Sequence, residues 1–125
     1  MDMLRWKCLI PGKEDTDWAG AYYPVNLIFT TEYPIKPPRV ELPANFFHPN
    51  IYPSGKVCLS ILDAEKAWKP SITIKQILVG VQELLQFANE RDPANGEANQ
   101  LFLYNQQEYK RRVRAQAKKY PSPEL

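Results

Sequence analysis

Residues 68–86 read Trp68-Lys69-Pro70-Ser71-Ile72-Thr73-Ile74-Lys75-Gln76-Ile77-Leu78-Val79-Gly80-Val81-Gln82-Glu83-Leu84-Leu85-Gln86, and the chain changes character inside them. Before Pro70, proline and glycine punctuate every short apolar run. From Thr73 onward, Ile74, Ile77, Leu78, Val81, Leu84 and Leu85 recur at the spacing of one helix face. Thr73 with Gln76 three residues later is a capping box, which fixes where that helix starts. Strands therefore precede a central helix and further helices follow it, the order of an α+β fold.

Working upstream, Leu4, Trp6, Cys8 and Ile10 alternate with Arg5, Lys7 and Leu9, a half-buried strand stopped by Pro11-Gly12 that puts Cys8 in the core. A second strand follows, with Tyr23, Val25, Leu27 and Phe29 facing in. Pro24 cannot donate to a ladder, so it marks an edge or the strand's beginning. Tyr33-Pro34-Ile35-Lys36-Pro37-Pro38 is a stiff extended connector to a short strand at residues 39–42. Residues 43–70 carry neither period, and an irregular stretch of that length with aromatic anchors reads as ordered and functional. Downstream, Asp92-Pro93 predicts the start of a short helix that contains Gly96. Asn105 with Glu108 caps a last helix, striped by Tyr109, Val113, Ala117 and Tyr120.

Composition narrows the function classes. In 125 residues, Lys+Arg number 16 and Asp+Glu 14, for a formal charge of +2, with 44% hydrophobic residues: enough for one compact domain. No apolar run is long enough to span a bilayer and the first residues lack the apolar core of a signal peptide, so the expectation is a soluble, intracellular chain without membrane partners. Two cysteines make no disulfide framework, and no Cys/His cluster has metal spacing. Twelve prolines without low complexity point to shaped loops instead of disorder.

Cys58 is the sharpest candidate nucleophile, at the end of the irregular stretch beside Gly55, although a small buried packing role suits a cysteine equally well. A cysteine hydrolase needs a histidine base beside the thiol, and the single histidine, His48, is tied into His48-Pro49-Asn50, where a structural hydrogen bond suits it better. Lys110, Arg111, Arg112, Arg114, Lys118 and Lys119 either form a surface for an acidic partner or are a solvated helix face. With so small a net charge and no nucleic-acid motif, direct nucleic-acid binding is not expected. Trp18, Trp68, Tyr33 and Phe47 flank prolines or glycines and read as pins that hold loops to the core.

Taken in order, Tyr33-Pro34 with Pro37-Pro38, His48-Pro49-Asn50, Gly55 with Cys58-Leu59, Trp68 with Pro70, and Asp92-Pro93 resemble the landmarks of the ubiquitin-conjugating enzyme family over nearly the whole chain. Within that family the sequence is most similar to the SUMO-conjugating members. The runs that carry this are Tyr52-Pro53-Ser54-Gly55, Cys58-Leu59-Ser60-Ile61-Leu62, the stretch from Ser71 to Leu78, and Arg112-Val113-Arg114-Ala115-Gln116-Ala117-Lys118-Lys119. Ubiquitin-specific members typically have aspartate where Ser60 stands and a shorter loop between Cys58 and Trp68. A ubiquitin-conjugating enzyme is the nearest alternative.

The resemblance implies a ubiquitin-conjugating-enzyme-like fold, with an antiparallel sheet, an irregular active-site stretch, a central helix and two C-terminal helices. It implies that Cys58 takes SUMO from the activating enzyme as a thioester and passes it to a substrate lysine, forming an isopeptide bond. Tyr52 and Asp92 then line the groove that receives the lysine, and Asn50 either donates to the tetrahedral oxyanion or holds the active-site loop. His48 and Pro49 shape the turn that presents Asn50. Arg39, Ser54, Lys56, Asp63 and Lys66 face substrate. No metal or cofactor is implied, ATP being used by the activating enzyme; the partners are SUMO, its activating enzyme, SUMO ligases and lysine-bearing proteins, and the location is nucleus and cytoplasm.

Two departures from the family pattern generate their own expectations. Glu41 stands where a second basic residue follows Arg39, and Lys56 replaces a usual threonine, so Lys56 is expected to take over part of the attraction for acidic substrate residues. The family also begins with an amphipathic helix and a first strand ahead of Met3, and the sequence starts after them. Residues 1–125 are thus expected to be one N-terminally truncated core domain with an exposed sheet edge beside Leu4 to Ile10. A charging-deficient fragment that binds modifier or ligase is the alternative from another class.

Overall fold

A computed structural model of the chain describes residues 4–123; of the domain expected over 1–125, the first three and last two residues lie outside the description. Three strands, β1 (Leu4–Pro11), β2 (Tyr22–Phe29) and β3 (Arg39–Glu41), form an antiparallel sheet in the order β1-β2-β3. Three helices follow, α1 (Ile74–Gln86), α2 (Gly96–Tyr104) and α3 (Gln106–Ala117). The α+β order read from the proline-to-helix switch is the observed one. Among the described residues, no helix is long and apolar enough to cross a membrane.

β2 is the spine of the sheet. Tyr23, Val25, Leu27 and Phe29 are all buried, as the alternation predicts. Pro24 pairs with Leu9 on the β1 side, and β3 reaches only Asn26, Leu27 and Ile28, so the missing amide falls where β2 has no second neighbour. The phase of β1 is also as expected, but its burial is not. Ile10 is buried and Cys8 partly so, while Leu4 and Trp6 are 60% and 45% exposed. Trp6 makes an edge-to-face contact with Phe29, at 5.5 Å between ring centroids. Among the described residues no strand pairs with the outer edge of β1, and the inward face is covered only toward Pro11.

α1 starts at the box read from the sequence. The Thr73 hydroxyl accepts from the Gln76 amide (3.1 Å), and the Gln76 side chain accepts from the Thr73 amide (2.7 Å). Ile77, Val81, Leu84 and Leu85 are buried against the sheet. α3 is capped by Asn105, as its spacing with Glu108 predicts. α2 corrects an expectation: its cap is Asn95, not Asp92, and the helix begins at Gly96. The reason lies in the backbone ahead of it, where the amides of Ala94 and Asn95 both donate to the carbonyl of Pro49 (2.7 and 3.1 Å) and hold residues 92–95 in an extended turn. Gly96 therefore sits in the first turn, not the helix interior.

The aromatic pins behave as expected: Trp18, Phe47 and Trp68 are buried, Tyr33 packs against the core, and the Trp68 indole N–H lies between the carbonyls of Pro34 (3.1 Å) and Ile35 (3.2 Å). Gln116 is a clamp the apolar stripe did not reveal. Its Oε1 accepts from the Phe47 amide (2.6 Å) and its Nε2 donates to the Phe47 carbonyl (3.0 Å), tying α3 to the irregular stretch. The three arginines of α3 are ion-paired, Arg111 with Glu108, Arg112 with Glu97 and Arg114 with Asp17, and the Arg112 guanidinium lies over the Phe47 ring. These arginines serve the fold.

Gly55 closes the tight turn that begins at Tyr52. Its amide donates to the Tyr52 carbonyl (2.8 Å), its φ is +96°, and a Cβ there would lie 2.0 Å from the Leu42 carbonyl oxygen. Gly96, by contrast, has nothing within 4 Å of a Cβ. Gly55→Ala is expected to cost ~2 kcal/mol or more in urea denaturation, and Gly96→Ala to be neutral or stabilising by up to ~1 kcal/mol. Equal effects at the two positions would refute this account of the turn.

Candidate active site

The site is built on His48-Pro49-Asn50, all buried. The His48 imidazole donates from Nε2 to the carbonyl of Leu84 in α1 (2.7 Å), and its Nδ1 accepts the Asn50 amide (3.0 Å). Both ring nitrogens are used, which fixes the neutral tautomer and rules out a free base at this position. Burial pushes the His48 pKa down to about 4, partly opposed by its hydrogen bonds to the α1 backbone.

Asn50 carries the connection onward. Its side-chain amide donates to the carbonyls of Asn89 (2.6 Å) and Asp92 (2.8 Å), and its Oδ1 accepts the Asn89 amide (2.8 Å). Both N–H donors are thereby occupied. These three bonds tie the Asn50 side chain to the 89–92 loop. The main chain of Asn50 also accepts the Cys58 amide (3.0 Å), so one residue fixes both the cysteine's backbone and the 89–92 loop opposite it.

Cys58 is partly buried and unpaired by disulfide. It opens into a groove of about 270 Å³ shared with Tyr52, Lys56, Asp63, Lys66 and Asp92. Tyr52 presents its ring, 41% exposed, from the turn closed by Gly55. The Asp92 carboxylate is oriented by the Asn89 side chain (3.1 Å to Oδ2), and its other oxygen faces the Lys66 ammonium at 3.8 Å. Asp63 shapes the loop carrying Lys66: its Oδ1 accepts the Glu65 amide (2.9 Å), and its carbonyl accepts the amides of Lys66 and Trp68. On its other side Cys58 borders a second depression, of about 340 Å³, with Gly80, Glu83 and Phe87 of the α1 region.

The structure thus brings together Cys58, Tyr52, Lys56, Asp63, Lys66 and Asp92, with Asn50, His48 and Pro49 behind them. It does not bring Arg39 and Ser54 into the groove wall. Arg39 lies on β3 and is ion-paired with Glu41, and Ser54 sits at the tip of the turn, its hydroxyl accepting the Lys56 amide (3.3 Å). Glu41 in turn bridges to Lys56 through the backbone. Asn89 joins the candidate site without a signal in the sequence, because its part depends on contacts with Asn50, 39 residues away, and with Asp92. Among the described residues, no group of three or more His, Cys, Asp or Glu is placed to hold a metal ion.

Residues 1–117 match the family model described as ubiquitin-conjugating enzyme. The chain is 50% identical over 122 residues to the SUMO-conjugating enzyme SCE1 of Arabidopsis thaliana, covering 98% of this chain and 76% of that protein. It is 51% identical over 124 residues to the Sumo-conjugating enzyme ubc9 of Dictyostelium discoideum (99% and 78% covered). It is 48% identical over 120 residues to the SUMO-conjugating enzyme UBC9 of Caenorhabditis elegans (96% and 72% covered).

The buried, neutral His48 makes stability pH-dependent. The folded state resists protonation until about pH 4, whereas an unfolded histidine titrates near 6.5, so as pH falls the unfolded state binds the proton first. The His48 contribution is fully present above about pH 6.5 and is lost progressively down to about pH 4. Between pH 7 and pH 5 urea denaturation should register a loss of ~2 kcal/mol. An unchanged stability across that interval would show that the imidazole is not held neutral.

Proposed function

The chain belongs to the ubiquitin-conjugating enzyme family, among its SUMO-conjugating members, and we propose that Cys58 is the residue that accepts SUMO from the activating enzyme and hands it to a substrate lysine. The observation that carries this assignment is the groove in which Cys58 meets Tyr52 and Asp92. Transthiolation requires a thiol that can be reached, and Cys58 is partly exposed at the groove floor. The thioester arrives already activated by ATP chemistry upstream, so its aminolysis asks no metal or cofactor of this chain.

The harder step is the second one. A lysine of ordinary pKa ~10.4 is almost wholly ammonium at neutral pH, and only the neutral amine attacks. Tyr52 contributes an aromatic wall that takes the incoming aliphatic stem out of water, which favours the neutral form. Asp92 favours ammonium by charge alone, so its part is to position the amine and accept the proton as the bond forms. Asn50 acts through Asp92 and Asn89, by holding their loop at a fixed height above Cys58, with His48 and Pro49 fixing Asn50 in turn.

Substrate selection follows from the charges around the groove. Arg39 is neutralised by Glu41, which leaves Lys56 and Lys66 as the cations along the groove wall. We assign to Lys56 a share of the attraction for an acidic residue near the target lysine, with Asp63 and Ser54 shaping the adjoining loop and turn. SUMO ligases complete the set of partners, and nucleus and cytoplasm are the proposed locations, by the family resemblance alone.

The test is a non-reducing gel of the chain with SUMO, its activating enzyme and ATP. A thiol-sensitive adduct is expected, absent in Cys58→Ala; a thiol-sensitive adduct that survives Cys58→Ala would refute the assignment. For specificity, Lys56→Thr is expected to reduce the preference for peptides with an acidic residue downstream of the lysine by about threefold to fivefold, the worth of an exposed ion pair of up to ~1 kcal/mol. An unchanged preference, measured as the ratio of kcat/KM values for acidic and neutral peptides, would remove Lys56 from that role.

A further inference from the structure

The acceptor position beside Cys58 is already approached by an amine of the same chain. Lys66 Nζ lies 3.8 Å from Asp92 Oδ1, and Lys66, Asp92, Tyr52 and Cys58 line one groove. The carboxylate oxygen that faces Lys66 is the one not used by the Asn89 side chain, which bonds Oδ2. Resting on the assignment of Cys58 and Asp92 made above, we propose that Lys66 is a modification site: with no substrate in the groove, the charged protein transfers SUMO from Cys58 to its own Lys66.

Three features fit this role. First, the loop that carries Lys66 is anchored from Asp63 by hydrogen bonds to the amides of Glu65, Lys66 and Trp68, so the lysine stem starts from a fixed point at the groove rim. An amine tethered there reaches the thioester at a high effective concentration, which a dilute substrate does not match. Second, the ion pair is exposed, with side chains 53% and 41% accessible; such pairs are weak and hold the amine near without locking it. Third, the pair occupies Asp92 in the free protein, so a substrate lysine competes with Lys66 for the same carboxylate. Self-modification and substrate transfer are then alternative fates of one thioester.

The chemistry balances without a further reagent. Lys66 releases a proton to water, its neutral Nζ attacks the thioester carbonyl carbon, the new N–C bond forms and the C–S bond breaks. The electron pair leaves with the Cys58 sulfur; Asp92 accepts the proton lost by the attacking nitrogen as the N–C bond forms and passes it to that sulfur. The products are an isopeptide on Lys66 and a free thiol.

The experiment charges the full chain with SUMO, its activating enzyme and ATP, stops charging, and follows the thiol-sensitive adduct with no substrate present. The expected result is conversion to a thiol-resistant adduct at a rate independent of protein concentration, with peptide mapping placing the linkage on Lys66. Excess lysine-bearing peptide should suppress it. In Lys66→Arg, thiol-resistant product per thioester formed should fall at least tenfold. Linkage mapped to Lys56 or any other lysine, or a rate proportional to protein concentration, would overturn the inference while leaving the conjugating function intact. Failure of the unaltered chain to form any thiol-sensitive adduct would overturn the assignment of Cys58 and the inference with it.

Discussion

The carboxamide of Asn50 is the interaction on which the site depends. It is buried, and its donors and acceptor are taken up by the backbone of residues 89 and 92. Its main-chain carbonyl receives the Cys58 amide and its own amide is received by His48, which is bonded in turn to the end of α1. Pro49 adds the amides of Ala94 and Asn95. Five segments of an otherwise irregular region are thereby registered to one another: the 48–50 turn, the backbone at Cys58, the C-terminal end of α1, the 89–92 loop and the approach to α2. Breaking a buried, fully bonded amide leaves several backbone groups without partners at once, at ~1–3 kcal/mol each, so the region is ordered together or not at all.

That hub explains which parts of the molecule were legible in the sequence. Signals that depend on neighbours in the chain were readable: the Thr73–Gln76 box, the Asn105 cap, the period-two burial of β2 and the role of Pro24 near that strand's start. Signals set by distant partners were not. Asp92-Pro93 has the local chemistry of a helix start, yet the Pro49 carbonyl holds the following amides and postpones the helix to Gly96. Gln116 breaks the apolar stripe of α3 and looks like a surface residue until Phe47, 69 positions away, is seen between its amide atoms. On β1 the alternation correctly gave the inward face, but how far that face is covered depends on what lies above it, and Leu4 and Trp6 stay exposed.

The candidate site divides along the same line. Cys58 stood out through its irregular surroundings, and its company in the groove, Tyr52, Lys56, Asp63, Lys66 and Asp92, came from the family resemblance and is gathered by the fold. Arg39 was named for the same reason, but its charge is answered within β3 by Glu41. A cation two residues from an anion on one strand face meets it directly, because side chains at i and i+2 point the same way. The substitution that placed an acid at 41 therefore acts on Arg39 before it acts on any substrate.

His48 shows why the site has the form it does. A histidine beside a cysteine invites the protease pattern, in which the imidazole activates the thiol. Here both ring nitrogens are engaged with backbone and burial keeps the ring neutral, so His48 is excluded as a base and is structural. A thiol that receives an already activated acyl group needs access and alignment more than it needs a base, because the energy of the thioester was supplied before the encounter. The requirement shifts to the acceptor, whose amine must be desolvated and aimed. On the function proposed above, fixed neighbours meet that requirement: an aromatic wall at Tyr52, and a carboxylate at Asp92 whose loop hangs on the Asn50 amide. Lys66 is held to Asp92 by a single exposed contact. On the proposed assignments, a rigid thioester side faces a loosely held amine, and the acceptor's identity is decided by competition for Asp92 and not by the cysteine.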